Sequence, residues 1–377
     1  LDDLSVISYT SGTSSSPKGV MLAARSLSAN VEIGRKLVPI AVNEPGNTLS
    51  ILPLAHIFGL AFDFLLLFSC GCHINIFTEK PVPARLLRAL ADVKPFIFLT
   101  VPLLIEKIFR SKVIPTLNKP AMRFLTSIPG VRQLIHKKVR DTIIATFGGN
   151  LAKAGFFIGG AAISKDVDKV MKKIGIPYAV GYGMTEAAPL MAYEYWKEFA
   201  SKSCGKAIDT IEVRIDSEDP YNKVGEIQAR GMNIMSGYYK NEEATAAAFT
   251  EDGWMRTGDL GVLDKKGNIF IKGRSKNMIL SANGQNIYPE EIEAAVNNQP
   301  YVVESVVVDR GARLVALIYM DSDKAKAEGV DLEEYKKVIM TEVNKSMPAY
   351  SKVNVVEYMT EPFAKTPKMS IKRFMYK

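Results

Sequence analysis

Three clusters of residues in this 377-residue chain have the types and spacing to handle a phosphorylated ligand. The first runs from Tyr9 to Leu22, YTSGTSSSPKGVML. Thr10, Ser11, Thr13 and Ser14 supply hydroxyl donors, Gly12 and Gly19 let backbone come close to a ligand, and Lys18 adds a positive charge. Such a loop is suited to cradling phosphate oxygens. It is not a Walker loop, because Gly12 leads to Pro17-Lys18-Gly19 instead of a Gly-Lys-Ser/Thr ending. The second cluster is Gly181-Tyr182-Gly183-Met184-Thr185-Glu186. An aromatic ring beside two glycines can stack on a purine, while the adjacent Thr and Glu can bind phosphate and Mg²⁺, a hard cation that prefers oxygen ligands. The third is DGWMRTGDL, Asp252 to Leu260, followed by Gly273-Arg274. Asp259 between tight turns can accept two ribose hydroxyls, with Arg274 near the ribose or a phosphate. Taken singly, each cluster has a plainer reading: a Ser/Thr turn, a strand end, a β-turn Asp beside a surface Arg.

These side chains need rigid elements to hold them. Val6-Ile7-Ser8-Tyr9 reads as a short strand entering the first loop, with parallel neighbours expected beside it. A strand is expected over Pro95 to Val101. Val131, Leu134, Ile135, Val139 and Ile143 fall on one helical face, and Gly148-Gly149 stops that helix. Phe156-Phe157-Ile158 is a strand ending at Gly159-Gly160. Ser164 is the expected N-cap of a helix carrying Val167, Val170, Met171 and Ile174, closed by Gly175. Pro177 to Val180 is the next strand, ending in the second cluster. Strand, helix, strand with small residues at the strand ends is the pattern of a parallel α/β sheet that binds ligands at its carboxyl edge. After Ser203 come short β runs at Glu212 to Ile215, Gly225 to Arg230 and Asn268 to Lys272, expected to form a small antiparallel barrel or sheet. From Arg274 a compact α+β texture begins. Pro289 opens a helix with Glu290 and Glu291 in its first turn, strands follow at Val302 to Val308 and Leu314 to Met320, and another helix carries Leu332, Tyr335, Ile339 and Val343.

The expected fold is therefore α/β: a large part with parallel α/β sheets and a small β-barrel or sheet, then a small α+β domain after a hinge. The divisions are 1–203, 204–273 and 274–377, as the length favours more than one core. The net charge of +8 is spread along the chain and is read as serving a polyphosphate ligand; no nucleic-acid partner is expected. Cys70, Cys72 and Cys204 form no disulfide pattern, which fits a reducing compartment. His56, His73 and His136 lack metal-ligand spacing. The apolar stretch from Leu49 to Phe77 is broken by Pro53, Asp63 and Gly71 and is read as core instead of a membrane span. A cytoplasmic protein is expected, with a peripheral contact at the inner face of a membrane left open.

In this order the three clusters resemble the signatures of the adenylate-forming (AMP-binding) superfamily, which holds acyl-CoA synthetases, luciferases and peptide-synthetase adenylation domains. Asn283 to Glu293 resembles the segment after the family's hinge. The run Pro53-Leu54-Ala55-His56-Ile57-Phe58-Gly59 and the Thr366-Pro367 ending look most like the long-chain fatty-acid CoA ligase branch. The resemblance spans Leu4 to Arg373 and implies an enzyme that uses ATP and Mg²⁺ to turn a fatty acid into acyl-AMP, releasing pyrophosphate, and then passes the acyl group to coenzyme A. An acyl carrier protein as acceptor, or a non-catalytic ATP- or acyl-binding homologue, are the alternatives.

The same resemblance implies roles. Thr10, Ser11, Gly12, Thr13 and Lys18 would hold the β- and γ-phosphates. Gly160 and Ala161 would lie along the adenine and the acyl carboxylate, and Tyr182 would stack on adenine. Thr185 would touch the α-phosphate, Glu186 would bind Mg²⁺, and Asp259 and Arg274 would take the ribose side. His56 would stand near the acyl and thioester channel, Lys276 at the hinge, and Gly284 beside the pantetheine channel. The family's late catalytic lysine falls on Ser370, so Lys368, which shares a face with it in an extended segment, is the expected substitute. Ser15 stands where many relatives have Gly. The family also carries a long region before the first cluster, so the chain is expected to lack part of the sheet and acyl pocket.

Overall fold

The computed structural model describes residues 1–10, 17–38, 43–79, 83–160, 163–195, 197–200, 202–281, 284–311, 313–365 and 371–376. The chain opens with a hairpin: β1 (Leu4–Tyr9) runs antiparallel to β2 (Gly19–Ala23), with Tyr9 opposite Gly19. This corrects the parallel neighbours expected for β1. β1 pairs with the next strand along the chain, and an antiparallel pair of this kind needs no crossover helix. Helix α1 (Ala24–Leu37) follows.

β3 (Asn47–Ser50) and β4 (His73–Ile76) form a parallel pair. The apolar stretch between them is core, burying Ile57, Ala61, Phe62, Leu66 and Leu67. Among the described residues no helix is long and apolar enough to cross a membrane.

The main sheet has the order β5 (Ile97–Thr100), β6 (Gly155–Ile158), β7 (Tyr178–Gly183), β8 (Leu190–Tyr195), β9 (Lys206–Ala207). The first three strands are parallel, and β8 and β9 join antiparallel. β5 is apolar and wholly buried, as expected of a strand covered on both faces. Phe98 of β5 packs with Phe147 and Phe156 at tilted to edge-on angles, with centroids 5.1–6.3 Å apart.

Between β5 and β6 lie α2 (Pro120–Ser127) and α3 (Val131–Thr146). Leu134, expected on the core face of α3, is exposed; Val131, Ile135 and Val139 are half-buried and Ile143 is buried, one i+4 row that Leu134 does not join. α4 (Lys165–Ile174) precedes β7 and ends at Gly175. Ser164 holds its N-cap position without a side-chain cap bond. Instead its N–H donates to Glu106 Oε1 at 2.7 Å, tying this end of the helix to a neighbouring element.

The small β part takes the form of a four-stranded antiparallel sheet, β10 (Ile211–Asp216), β11 (Gly225–Gly231), β13 (Met255–Leu263) and β14 (Ile269–Arg274). β12 (Gly237–Tyr238) leaves it to pair with β2. After β15 (Ile279–Leu280) and β16 (Asn286–Ile287), α5 (Pro289–Val296) starts on its proline. β17 (Val302–Asp309), β18 (Leu314–Met320) and β19 (Val355–Tyr358) form a mixed sheet covered by α5 and α6 (Leu332–Asn344). Ile292, Val296, Ile318, Ile339 and Val343 make a core of their own.

Candidate active site

The site begins at the mouth of the first hairpin. The Thr10 N–H donates to the Lys18 carbonyl at 2.9 Å, closing the loop at its base. In return the Lys18 N–H reaches Thr10 Oγ1 at 3.4 Å. Ser11, Gly12 and Thr13 lie outside the described residues. Lys18 Nζ stands 4.8 Å from the centre of the Tyr238 ring, a cation–π contact. The Tyr238 hydroxyl donates to Glu186 Oε1 at 3.0 Å. Burial and the Glu186 charge push the Tyr238 hydroxyl well above its ordinary pKa, so it stays a donor.

Tyr238 therefore joins the first cluster to the second, and sequence reasoning missed it. It lies 52 residues from Glu186. The available signal was Gly237-Tyr238-Tyr239, a glycine beside aromatics, and only the pairing of β12 with β2 gives that signal a place.

The second cluster ends β7. A side chain at Gly183 would put its Cβ 2.0 Å from the Pro189 carbonyl oxygen, so the return of the chain onto Gly183 requires the missing Cβ. Thr185 is buried at the start of a single helical turn, Thr185–Ala187. A residue of α1 fixes the far side of this turn. Asn30, fully buried, donates to the Ala187 carbonyl at 3.2 Å and accepts from the Leu190 N–H at 2.9 Å. A buried amide satisfied by backbone on both sides is a rigid positioning device. The Glu186 carbonyl accepts the Met235 N–H at 2.9 Å, a further tie to the segment leading into β12.

The third cluster supplies the most buried charge. Asp259 is 4 % exposed. The Tyr182 hydroxyl donates to its Oδ2 at 2.7 Å and Arg274 Nε lies 2.7 Å from its Oδ1. Asp259 and Arg274 face each other across the β13–β14 ladder, so the sheet register sets this pair. Burial pushes the Asp259 carboxyl up against the pull of Arg274 and Tyr182, and Glu290 and Glu186 nearby push the same way. Tyr182 itself is 8 % exposed, so the ring expected to stack on adenine offers little open face; its hydroxyl orients Asp259.

Gly160 follows β6 at φ +88°, a conformation that favours glycine, and Ala161 lies outside the described residues. The Pro53–Gly59 run comes against this turn, since a Cβ at Gly159 would meet the Phe58 ring at 3.0 Å. His56 opens the helical run that starts there, its N–H donating to the Pro53 carbonyl and its carbonyl accepting the Leu60 N–H.

Lys276 sits on the turn Ser275–Asn277, directly after β14. Asn277 Nδ2 donates to Glu290 Oε1 at 2.6 Å, and Glu290 packs against Gly273. Gly284 is in an open turn at φ +73°. Lys368 and Ser370 lie outside the described residues. On either side of them, Lys365 pairs with Glu304 at 2.6 Å and bridges to Ile371, and Arg373 pairs with Glu293. Burial holds the Glu293 carboxyl up at about 7 even against Arg373.

Among the described residues no three His, Cys, Asp or Glu side chains gather as a metal cage. A single carboxylate, Glu186, joined through Tyr238 to Lys18, is instead a donor that would suit Mg²⁺ carried in on a phosphorylated ligand.

A model of AMP-binding enzymes matches residues 1–239, and one of the AMP-binding enzyme C-terminal domain matches 276–376. Long-chain-fatty-acid–CoA ligase 4 of Saccharomyces cerevisiae is 31% identical over 361 residues, covering 87% of this chain and 48% of that protein. The chloroplastic long-chain-fatty-acid–acyl-carrier-protein ligase AEE15 of Arabidopsis thaliana is 26% identical over 450 residues, covering 99% of this chain and 60% of that one. The chain thus spans about half the length of the curated relatives it matches. Among solved structures, o-succinylbenzoate coenzyme A synthetase of Bacillus subtilis, in complex with ATP and magnesium ion, superposes with a TM-score of 0.78 at 20% identity, over 99% of this chain and 70% of that one.

Proposed function

The chain belongs to the AMP-binding enzyme family, and from that premise we propose that it serves to activate a long-chain fatty acid as acyl-AMP and to pass the acyl group to coenzyme A. One observation supports this most. Lys18, Tyr238 and Glu186 on one side, and Tyr182, Asp259 and Arg274 on the other, draw three separate sequence clusters together, and the Glu186 charge is felt at Asp259.

The chemistry follows from these roles. A carboxylate is a poor electrophile because its leaving oxide is strongly basic. One of its oxygens attacks the α-phosphorus of ATP, the bond to the β-phosphate oxygen breaks, and pyrophosphate leaves. The sulfur of coenzyme A then attacks the acyl carbon, the carbon–oxygen bond to AMP breaks, and AMP leaves. Asp259 accepts the ribose hydroxyls and, held on both oxygens, fixes the sugar. Lys18 and Thr10 meet the outer phosphates. Thr185 lies beside the α-phosphate, where charge develops during attack. Glu186 offers the carboxylate for a phosphate-bound magnesium ion, which when bound neutralises charge on the departing pyrophosphate. Residues 274–377 form the mobile part, with its hinge at Lys276 and Gly284 beside the pantetheine path. Lys368 bridges the carboxylate and the α-phosphate, and His56 lines the acyl and thioester channel.

The long-chain acid is supported by the likeness to the yeast ligase and by the Pro53–Gly59 run. The plant relative keeps a carrier protein in view as an alternative acceptor. Pyrophosphate release with ATP, magnesium and a chain-length series of fatty acids, with and without coenzyme A, tests the reading. Release that does not depend on a fatty acid would sink it. Lys368→Ala should abolish adenylation yet spare thioester formation from preformed acyl-AMP; unchanged ATP–pyrophosphate exchange would remove Lys368 from the mechanism.

A further inference from the structure

The net charge is not spread along the chain, which corrects the expectation that it serves a polyphosphate ligand: the excess lies in one stretch. From Lys107 to Arg140 there are nine Lys and Arg and no Asp or Glu. Subtracting these nine from 48 leaves 39 basic residues against 40 acidic ones, so the rest of the chain is nearly neutral. The stretch contains α2, the turn after it and the first half of α3. Of the nine cations, Arg110 pairs with Asp166 and Arg140 with Asp141; the other seven make no ion pair among the described residues.

The same stretch shows apolar side chains to solvent. Phe124 is 68 % and Leu134 69 % exposed, with Leu125 and Ile128 exposed between them. α2 buries none of its residues, although it packs along α3. A run of large apolar side chains open to solvent and rimmed by polar residues fits a contact surface. Here Lys119, Arg123, Arg132, Lys137 and Lys138, all exposed, are interleaved with them. Cations alone would suit any polyanion. Cations around an exposed Phe-Leu-Ile-Leu group suit one with an apolar layer beneath its charges.

We propose that the α2–α3 hairpin docks on the surface of an anionic phospholipid bilayer. Phe124 and Leu134 enter the boundary between headgroups and acyl chains, while the unpaired cations face the lipid phosphates. The contact is peripheral, and it requires nothing of the nucleotide site.

Sedimentation of the 377-residue chain with vesicles, without ATP or fatty acid, tests this independently of the proposed reaction. Binding is expected to vesicles of phosphatidylcholine mixed with phosphatidylglycerol, and to fall at high salt. Phosphatidylcholine alone should bind at least tenfold less. Lys137→Glu with Lys138→Glu should weaken binding by more than tenfold, since each cation near an anionic leaflet strengthens it roughly fivefold. Phe124→Ser with Leu134→Ser, which leaves the charge unchanged, should weaken it by about tenfold. All four positions are exposed, and circular dichroism confirms that each variant is folded. No binding of the wild type to anionic vesicles would overturn the proposal. So would equal binding by the Phe124/Leu134 variant, or tighter binding to RNA that this variant leaves unchanged.

Discussion

The two ends of the candidate site hold their charges in different ways. At the proposed ribose end Asp259 is buried, gripped on one oxygen by Tyr182 and on the other by Arg274, and set across a β-ladder. At the proposed phosphate end Lys18 rests on the face of Tyr238, whose hydroxyl holds one oxygen of Glu186. A carboxylate fixed on both sides within a sheet has one geometry to offer, which suits a rigid sugar. A lysine held by a ring face and a glutamate held through one oxygen keep freedom to follow phosphates and a metal ion as the bond breaks. On the proposed function, the difference would separate recognition from chemistry within one site.

Gly183 is the joint between these ends, one residue past Tyr182 and three before Glu186. Gly183→Ala should therefore damage both and give the largest effect. The added Cβ meets backbone at Pro189, which cannot swing aside, so a loss of about 3 kcal/mol of stability is expected. Denaturant titration reads it, and a variant of unchanged stability that binds ATP normally would dissolve the joint. Next is Asp259→Ala, which strips the ribose end alone. Charged hydrogen bonds contribute about 1.5–3 kcal/mol each, so ATP affinity should fall by roughly a hundredfold by calorimetry. Loss of affinity for adenosine as well as ATP would place the effect on the sugar; normal adenosine binding would break the division of the site into two ends.

What was legible in the sequence follows the same line. Glu186, Asp259 and Arg274 could be read because each sits in a short run whose spacing is local. The helix from Pro289, the three parallel strands of the main sheet and the buried stretch from Leu49 could be read from periodicity and punctuation, whereas the antiparallel β8 and β9 that complete the sheet were not. Tyr238 and Asn30 could not, because their partners are far along the chain and only strand pairing and helix packing bring them in. The hairpin of β1 and β2 was hidden for a related reason: a short apolar run looks the same in parallel and antiparallel sheets. Leu134 misled because an apolar residue near a helical stripe is indistinguishable from a member of it until the packing is seen.

Asp63 sharpens the comparison by showing a buried carboxylate with donors and, among the described residues, no paired cation. Ser50 Oγ and the N–H groups of Ile51 and Leu52 all donate to its Oδ2, at 2.8–3.2 Å. Burial still raises its carboxyl to about 6. The folded state therefore holds this proton more tightly than the unfolded state does. The stability that this group contributes is full below the unfolded value near 4 and is lost as pH rises through 6. Between about pH 5 and pH 7 the stability of the wild type relative to Asp63→Asn should fall by about 1 kcal/mol. Parallel pH curves for the two proteins would mean that the donors fully offset burial, and that Arg274 is not what distinguishes Asp259.

Tyr238→Phe should have the smallest effect and the most selective one. The ring remains to support Lys18, so the cation–π contact survives while the hydrogen bond to Glu186 is lost. A hydrogen bond of this kind contributes about 1 kcal/mol, roughly fivefold. If the phosphate end works by holding Glu186 for a metal ion, the loss should appear as a higher magnesium requirement for ATP binding, with metal-free ATP affinity unchanged. Tyr238→Leu removes the ring as well and should lower metal-free affinity too. Should Phe and Leu behave alike in both measurements, the hydroxyl would have no separate role, and the phosphate end would be held by packing in the way the ribose end is held by charge.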